Sequence, residues 1–388
     1  MSGDPMLGAA LVACVREHDD GAPPELLRVI EAGQLDSLLQ LARHHRVLPF
    51  VHRELREVDG ADVRTMQALD RHAVTQTANQ MRIVTDLAGF AEMLAPLEVQ
   101  WITFKGPVLA QHCYERPELR TYRDLDLLIA REDFPEVVTY LQGGGVDVID
   151  RNWTLIRRER RGQLHLTLPM GTVADLHWHL LNRAVVRDSF DVDMGSVLTR
   201  TRTVVVSGVE VETLSAVDTV VHLALHAALA GGDRLIWVKD LERSIAAETL
   251  DWDEVVARAF AWRAGAAVAS TLQRARDVLG AQVPVWVLRD LEPSAARRRI
   301  GAAFDRWWPT EQADGELTPA ALWPQVVRDG RFATVGSIAR RAARRPANML
   351  REIFGEPGGR DHEAAAVLHP SGGEGVRADY LRDVTDEP

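Results

Sequence analysis

The chain has 388 residues, a formal net charge of −11 and 46% hydrophobic content, enough for a sizeable core and two or three subdomains. The acidic balance argues against a dedicated nucleic-acid binder, whose affinity rests on a basic surface that neutralises phosphate. Cys14 and Cys113 give no disulfide framework, Asp4 stands where a secretory signal needs basic residues, and no apolar run reaches the roughly 18–20 residues that span a bilayer, so a soluble, cytoplasmic protein with no membrane partner is expected.

Glu25 to Leu55 carries Leu26, Leu27, Ile30, Leu35, Leu38, Leu39 and Leu41 at helical spacing, which predicts two helices broken near Gly33. A long helix is expected from about Asp62 to Leu94. Val99 to Phe104 then reads as a short buried strand, followed by Lys105-Gly106-Pro107 and a helix over Val108 to Tyr114. Glycine permits close backbone approach, proline suits the first helical position, and free N–H groups at a helix start favour an anion. Lys105, Arg120 and Arg123 are candidates to neutralise phosphate oxygens, the arginines through their bidentate forks.

The central motif is Asp124-Leu125-Asp126-Leu127-Leu128-Ile129. Side chains on a strand alternate between faces, so Asp124 and Asp126 project together while the leucines supply buried surface. Paired carboxylates in that arrangement suit divalent cations and metal-assisted phosphate chemistry. Residues 133 to 141 read as a helix ending at Gly143-Gly144-Gly145. Asn152 to Arg158 and Gln163 to Leu168 read as strands joined by a hairpin at Gly162. From Ser215 to about Leu279 the pattern is helical, and from Gly355 onward glycine, proline and acidic residues predict a disordered acidic tail.

Lys105-Gly106, Arg120 and Asp124-Leu125-Asp126-Leu127-Leu128 together resemble the bacterial family of uncharacterised nucleotidyltransferases within the polymerase-beta-like superfamily. Asp175-Leu176-His177-Trp178 and the later His222, His226, Trp237 and Asp240 extend the resemblance over roughly residues 30 to 285. It implies an α+β fold with a nucleotidyltransferase-like mixed β-sheet core at about 96–213, an N-terminal helical region at 1–95 and a C-terminal helical domain at 214–354, ahead of the tail at 355–388. It further implies Mg2+ or Mn2+ and an NTP donor, with ATP the first choice. Pro107 stands where the broader superfamily usually presents a serine, and Arg123 where the family more often has a small residue.

Two-metal sites need a third ligand, and Asp175 is the best candidate. Asp175, His177 and His179 share one face at period two, while Leu176, Trp178 and Leu180 point the other way. The expected metal set is therefore Asp124, Asp126 and Asp175, with Lys105, Gly106, Arg120 and Arg123 on the nucleotide. His177, His179, His222, His226 and Asp240 are candidates for a substrate cleft. His177-Trp178-His179 lacks the strand-helix series of barrel-type metal hydrolases, and Leu223 stands where the His222/His226 pair would need a glutamate for zinc-protease chemistry.

The reaction expected is transfer of a nucleoside monophosphate to an unidentified small-molecule, peptide or protein acceptor. An RNA acceptor is not favoured, although Arg297 to Arg299 and Arg340, Arg341, Arg344 and Arg345 form basic stretches. The alternatives are a non-catalytic nucleotide-binding or antitoxin-like module of the same fold, or a phosphotransferase on the same scaffold.

Overall fold

A computed structural model describes residues 4–17, 21–58, 61–231, 234–292, 294 and 366–387. It divides into two compact units that do not follow chain order. The basic stretches at 297–299 and 340–345, and positions 355–365 of the tail, lie outside the described residues.

The first unit comprises the described residues of Met1–Ala78, Leu109–Thr121 and Ala216–Thr334 and is helical. Its N-terminal part contains helices Pro5–Val15, Pro24–Glu31, Leu35–His44 and Leu48–Leu55. The run expected to break once, near Gly33, breaks a second time at Arg46, whose left-handed φ of 57° interrupts the helical hydrogen bonding. Helices Ala216–Leu229, Leu235–Ala247, Trp252–Ala261 and Gly265–Leu279 fill the region expected to be helical after Ser215. Each buries an apolar stripe: Val220, Val221, Ala224, Leu225 and Ala228 on the first are completely inaccessible.

The second unit comprises the described residues of Asn79–Val108, Tyr122–Ser215 and Val335–Pro388. It holds a five-stranded sheet built from β1 (Trp101–Phe104), β2 (Asp124–Ile129), β3 (Asp147–Val148), β4 (Gln163–Thr167) and β5 (Val173–His177), in the order β1-β2-β5-β4-β3. Only β2 and β5 run parallel; the other pairs are antiparallel, so the sheet is mixed, as expected. Leu125 and Leu127 of β2, Leu164 and Leu166 of β4, and Ala174 and Leu176 of β5 share one face and are fully buried. A separate hairpin pairs β6 (Arg202–Val206) with β7 (Val209–Thr213).

The long helix falls at Val63–Leu94, close to expectation. Near its end Ile83, Leu87, Phe90 and Leu94 are buried, and Asp86 accepts the N–H groups of Met170 (2.9 Å) and Thr172 (3.0 Å) in the turn between β4 and β5.

Two expectations are corrected. Asn152 to Arg158 is not a strand: Asn152 caps a helix, Trp153–Glu159, by accepting the Leu155 N–H at 3.1 Å, and Trp153 and Ile156, one helical turn apart, are buried. Gly162 consequently turns no hairpin; it lies so close to Leu181 that a Cβ would stand 2.9 Å from that residue's carbonyl oxygen. The tail, expected to be disordered, contains the helix Glu374–Asp386. Its Tyr380, Leu381 and Val384 are buried, and Asp379 and Asp383 pair with Arg157. Acidic composition concealed one apolar helix face.

Candidate metal centre

β2 and β5 lie side by side in parallel with Asp126 opposite Asp175. Phe104 of β1 pairs with Asp126, and His165 of β4 pairs with Asp175, so one row across the sheet reads Phe104, Asp126, Asp175, His165 on a single face. Strand alternation returns Asp124 and His177 to that face, two residues to either side of the row. On β2, β4 and β5 the opposite face is apolar, which fixes the register: a slip of one residue would turn the carboxylates into that apolar layer and the leucines onto the face of the metal centre.

Asp126, Asp175 and His177 each offer a ligand atom, and these atoms lie within 4.8 Å of one another. His177 Nε2 stands 3.4 Å from Asp126 Oδ1. Both imidazole nitrogens are buried without a hydrogen bond among the described residues, and the ring packs edge-on against Phe104 at 5.4 Å. A buried ring nitrogen left in that condition is costly, and a cation between it and the carboxylates would remove the cost. The donor set thus fits a divalent metal ion. Asp124 shares the face but is exposed and lies outside this three-residue cluster.

Asp175 is held by two neighbours. Gln163 Nε2 donates to its Oδ2 at 3.2 Å, and His165 Nε2 lies 3.6 Å from its Oδ1. Burial, assisted by the charges of Asp126 and Asp124 and opposed by His165 and His177, pushes the Asp175 carboxyl up to about 6. His165 is anchored in turn by the fully buried Asp150, which meets its Nδ1 at 2.9 Å and accepts its backbone N–H at 3.0 Å. Burial alone would lower the His165 imidazole, but the hydrogen bond to Asp150 and the charge of Asp175 outweigh it and carry it up to about 8. These groups form an Asp150–His165–Asp175 chain behind the candidate ligands.

Lys105 reaches the same cluster, its Nζ 3.6 Å from Asp126 Oδ1 and 5.2 Å from the Phe104 ring centre. Its φ of 59° is left-handed for a residue with a Cβ, and Gly106 follows at φ 28°. Such a conformation costs on the order of 1–3 kcal/mol and concentrates where a side chain must be aimed. Arg123 is exposed immediately before Asp124.

The remaining candidates are placed differently. His179 lies beyond the end of β5; its Nδ1 accepts the Leu181 N–H at 2.9 Å, and burial together with the nearby Arg187 pushes the imidazole down to about 3. It is an internal neutral histidine rather than a continuation of the Asp175–His177 face. In the first unit Arg120, expected on a triphosphate, is buried against Asp240, with Nε donating to Oδ1 at 2.8 Å and Nη2 to Oδ2 at 2.9 Å. Tyr114 also donates to Asp240 Oδ1, at 2.7 Å. Asp240 is therefore the buried partner of a cation and a phenol, not an open substrate contact. His222 and His226 stack 6.0 Å apart on helix Ala216–Leu229, with His226 edge-on to Trp237 at 5.6 Å. His222 is buried there, which corrects its expected place on a cleft wall.

Sequence reasoning missed Gln163, His165 and Asp150. Gln163 and His165 alternate along a run correctly read as a strand, but only the β4–β5 register shows that they face Asp175. In sequence, residues 31–280 match the family model described as uncharacterised nucleotidyltransferase. No curated protein matches the chain.

Proposed function

The chain belongs to the uncharacterised nucleotidyltransferase family, and on that premise we propose that it transfers a nucleoside monophosphate from an NTP, with ATP as reference donor, to a hydroxyl, phosphate or amine acceptor. The observation that carries this reading is the convergence of Asp126, Asp175 and His177 on the sheet face that Lys105 also reaches. In the reaction the acceptor atom forms a bond to the α-phosphorus as the bond to the leaving pyrophosphate breaks. The acceptor's proton passes to solvent.

Asp126 and Asp175 would hold a divalent metal, Mg2+ or Mn2+, with Asp124 as a further carboxylate on the same face of β2. When bound, the metal lowers the acceptor's pKa and neutralises charge developing on pyrophosphate, so no side-chain base is required. Lys105 exchanges its contact with Asp126 for a phosphate oxygen, and Gly106 allows the backbone to approach the same group. Arg123 meets the outer phosphates. The apolar face behind β2 and β5 keeps the carboxylates in register and supplies the rigidity that positioning demands.

Among the described residues no helix is long and apolar enough to cross a membrane. We propose a cytoplasmic setting and a small-molecule, peptide or protein acceptor. Calorimetric titration of the intact chain with ATP tests the metal-dependent reading. Binding is expected with Mg2+ or Mn2+ and is expected to vanish in excess chelator; tight binding in chelator, unchanged by added metal, would remove the carboxylate assignment.

A further inference from the structure

We propose that the Asp126–Asp175–His177 face is a mixed oxygen–nitrogen site that selects a first-row transition dication over Mg2+, with His177 Nε2 as a direct ligand. The inference rests on the metal-dependent reading above and decides which class of ion that reading requires.

His177 carries the argument. Its side chain is 6% exposed, Nε2 points at Asp126 Oδ1 across 3.4 Å, and neither ring nitrogen has a hydrogen bond among the described residues. The register aligns it with this cluster: His177 is two residues beyond Asp175 on the same face of β5 and pairs with Leu128, two beyond Asp126 on β2. The three candidate atoms lie within 4.8 Å of one another, close to the spread of ligands around one ion bound at about 2.0–2.2 Å. A small inward movement of these side chains would let all three hold one ion.

An imidazole changes what such a site prefers. Mg2+ is small and hard, takes oxygen ligands and retains much of its water, whereas first-row transition ions accept nitrogen readily. Mn2+ is the weakest binder in the transition series. It is therefore the demanding probe: a site that favours Mn2+ over Mg2+ favours its later neighbours as well. Gln163 and His165, the latter anchored by Asp150, orient Asp175, and such outer contacts commonly change metal affinity by about 10- to 100-fold.

The test uses the full chain without nucleotide and two readouts. Titration with Mn2+ followed by electron paramagnetic resonance, with Mg2+ as competitor, is expected to give a Kd at least about tenfold lower for Mn2+. Replacement of the nitrogen ligand in His177→Gln is expected to reduce that preference at least about tenfold. Electron spin echo modulation of bound Mn2+ in the unmodified protein is expected to show coupling to one imidazole nitrogen. That readout needs no folded variant. Equal affinity for the two ions, or bound Mn2+ with no nitrogen coupling, would overturn the inference and leave metal-dependent transfer standing. Failure of the unmodified chain to bind either ion would overturn both.

Discussion

Arg120 and Lys105 are cations flanking the same phosphate-type motif, but their surroundings separate their roles. Lys105 has a 3.6 Å contact with a carboxylate at the candidate metal centre and can reorient toward a phosphate. Arg120 is locked bidentate to Asp240, and Tyr114 occupies the same carboxylate. Removing Arg120 leaves Asp240 buried with its charge unbalanced, so Arg120→Ala should cost about 3–5 kcal/mol of stability, read as a lower urea midpoint. Arg120→Lys should recover only part of it, since an ammonium cannot make the paired hydrogen bonds. An Arg120→Ala protein of unchanged stability but weakened ATP binding would return the residue to the triphosphate. The sequence singled out both Arg120 and Asp240, but nothing in it showed that the two, 120 residues apart, are each other's partners.

Among the elements, β2 was the most legible. Its alternation of aspartate and leucine names both faces without reference to any other segment, and β5 repeats that signal with Ala174 and Leu176 on the apolar face and Asp175 and His177 on the other. The helix Trp153–Glu159 was misread because Trp, Thr and Ile favour strands in isolation; the local signal for helix was the Asn152 cap, while the contacts of Trp153 that favour helix depend on tertiary placement. One such contact comes from the C-terminal helix Glu374–Asp386: Tyr380 packs against Trp153 with ring centres 6.1 Å apart. Its hydroxyl donates to the Arg161 carbonyl at 2.8 Å and accepts from Trp178 Nε1 at 3.2 Å. Tyr380→Ala should therefore lower stability by about 3–5 kcal/mol, the usual range for removing a large buried aromatic. Hydrogen exchange should show residues 374–386 protected in the parent chain and exposed in the variant. Rapid exchange of that segment in the parent would restore the disordered tail.

At the scale of the whole molecule, the second unit assembles its candidate metal centre from strands far apart in sequence but adjacent in the sheet, with Asp126 on β2 directly opposite Asp175 on β5. The ligand-bearing strands announce themselves by local pattern. The residues behind them, Gln163, His165 and Asp150, become visible only when the β5–β4 pairing is known. The two compact units likewise interleave three segments each, an arrangement that local periodicity cannot disclose. The central claim is nucleotidyl transfer at this face, and the most direct measurement follows ATP labelled at the α- or the γ-phosphate in the presence of Mn2+ and a panel of hydroxyl- and amine-bearing acceptors. The account predicts α-label in the product, pyrophosphate as the partner product, and a loss of at least about 100-fold in Asp126→Asn, equivalent to the several kcal/mol that bound metal contributes. ADP with γ-label in the acceptor, or α-label transfer undiminished by chelator or by Asp126→Asn, would contradict it.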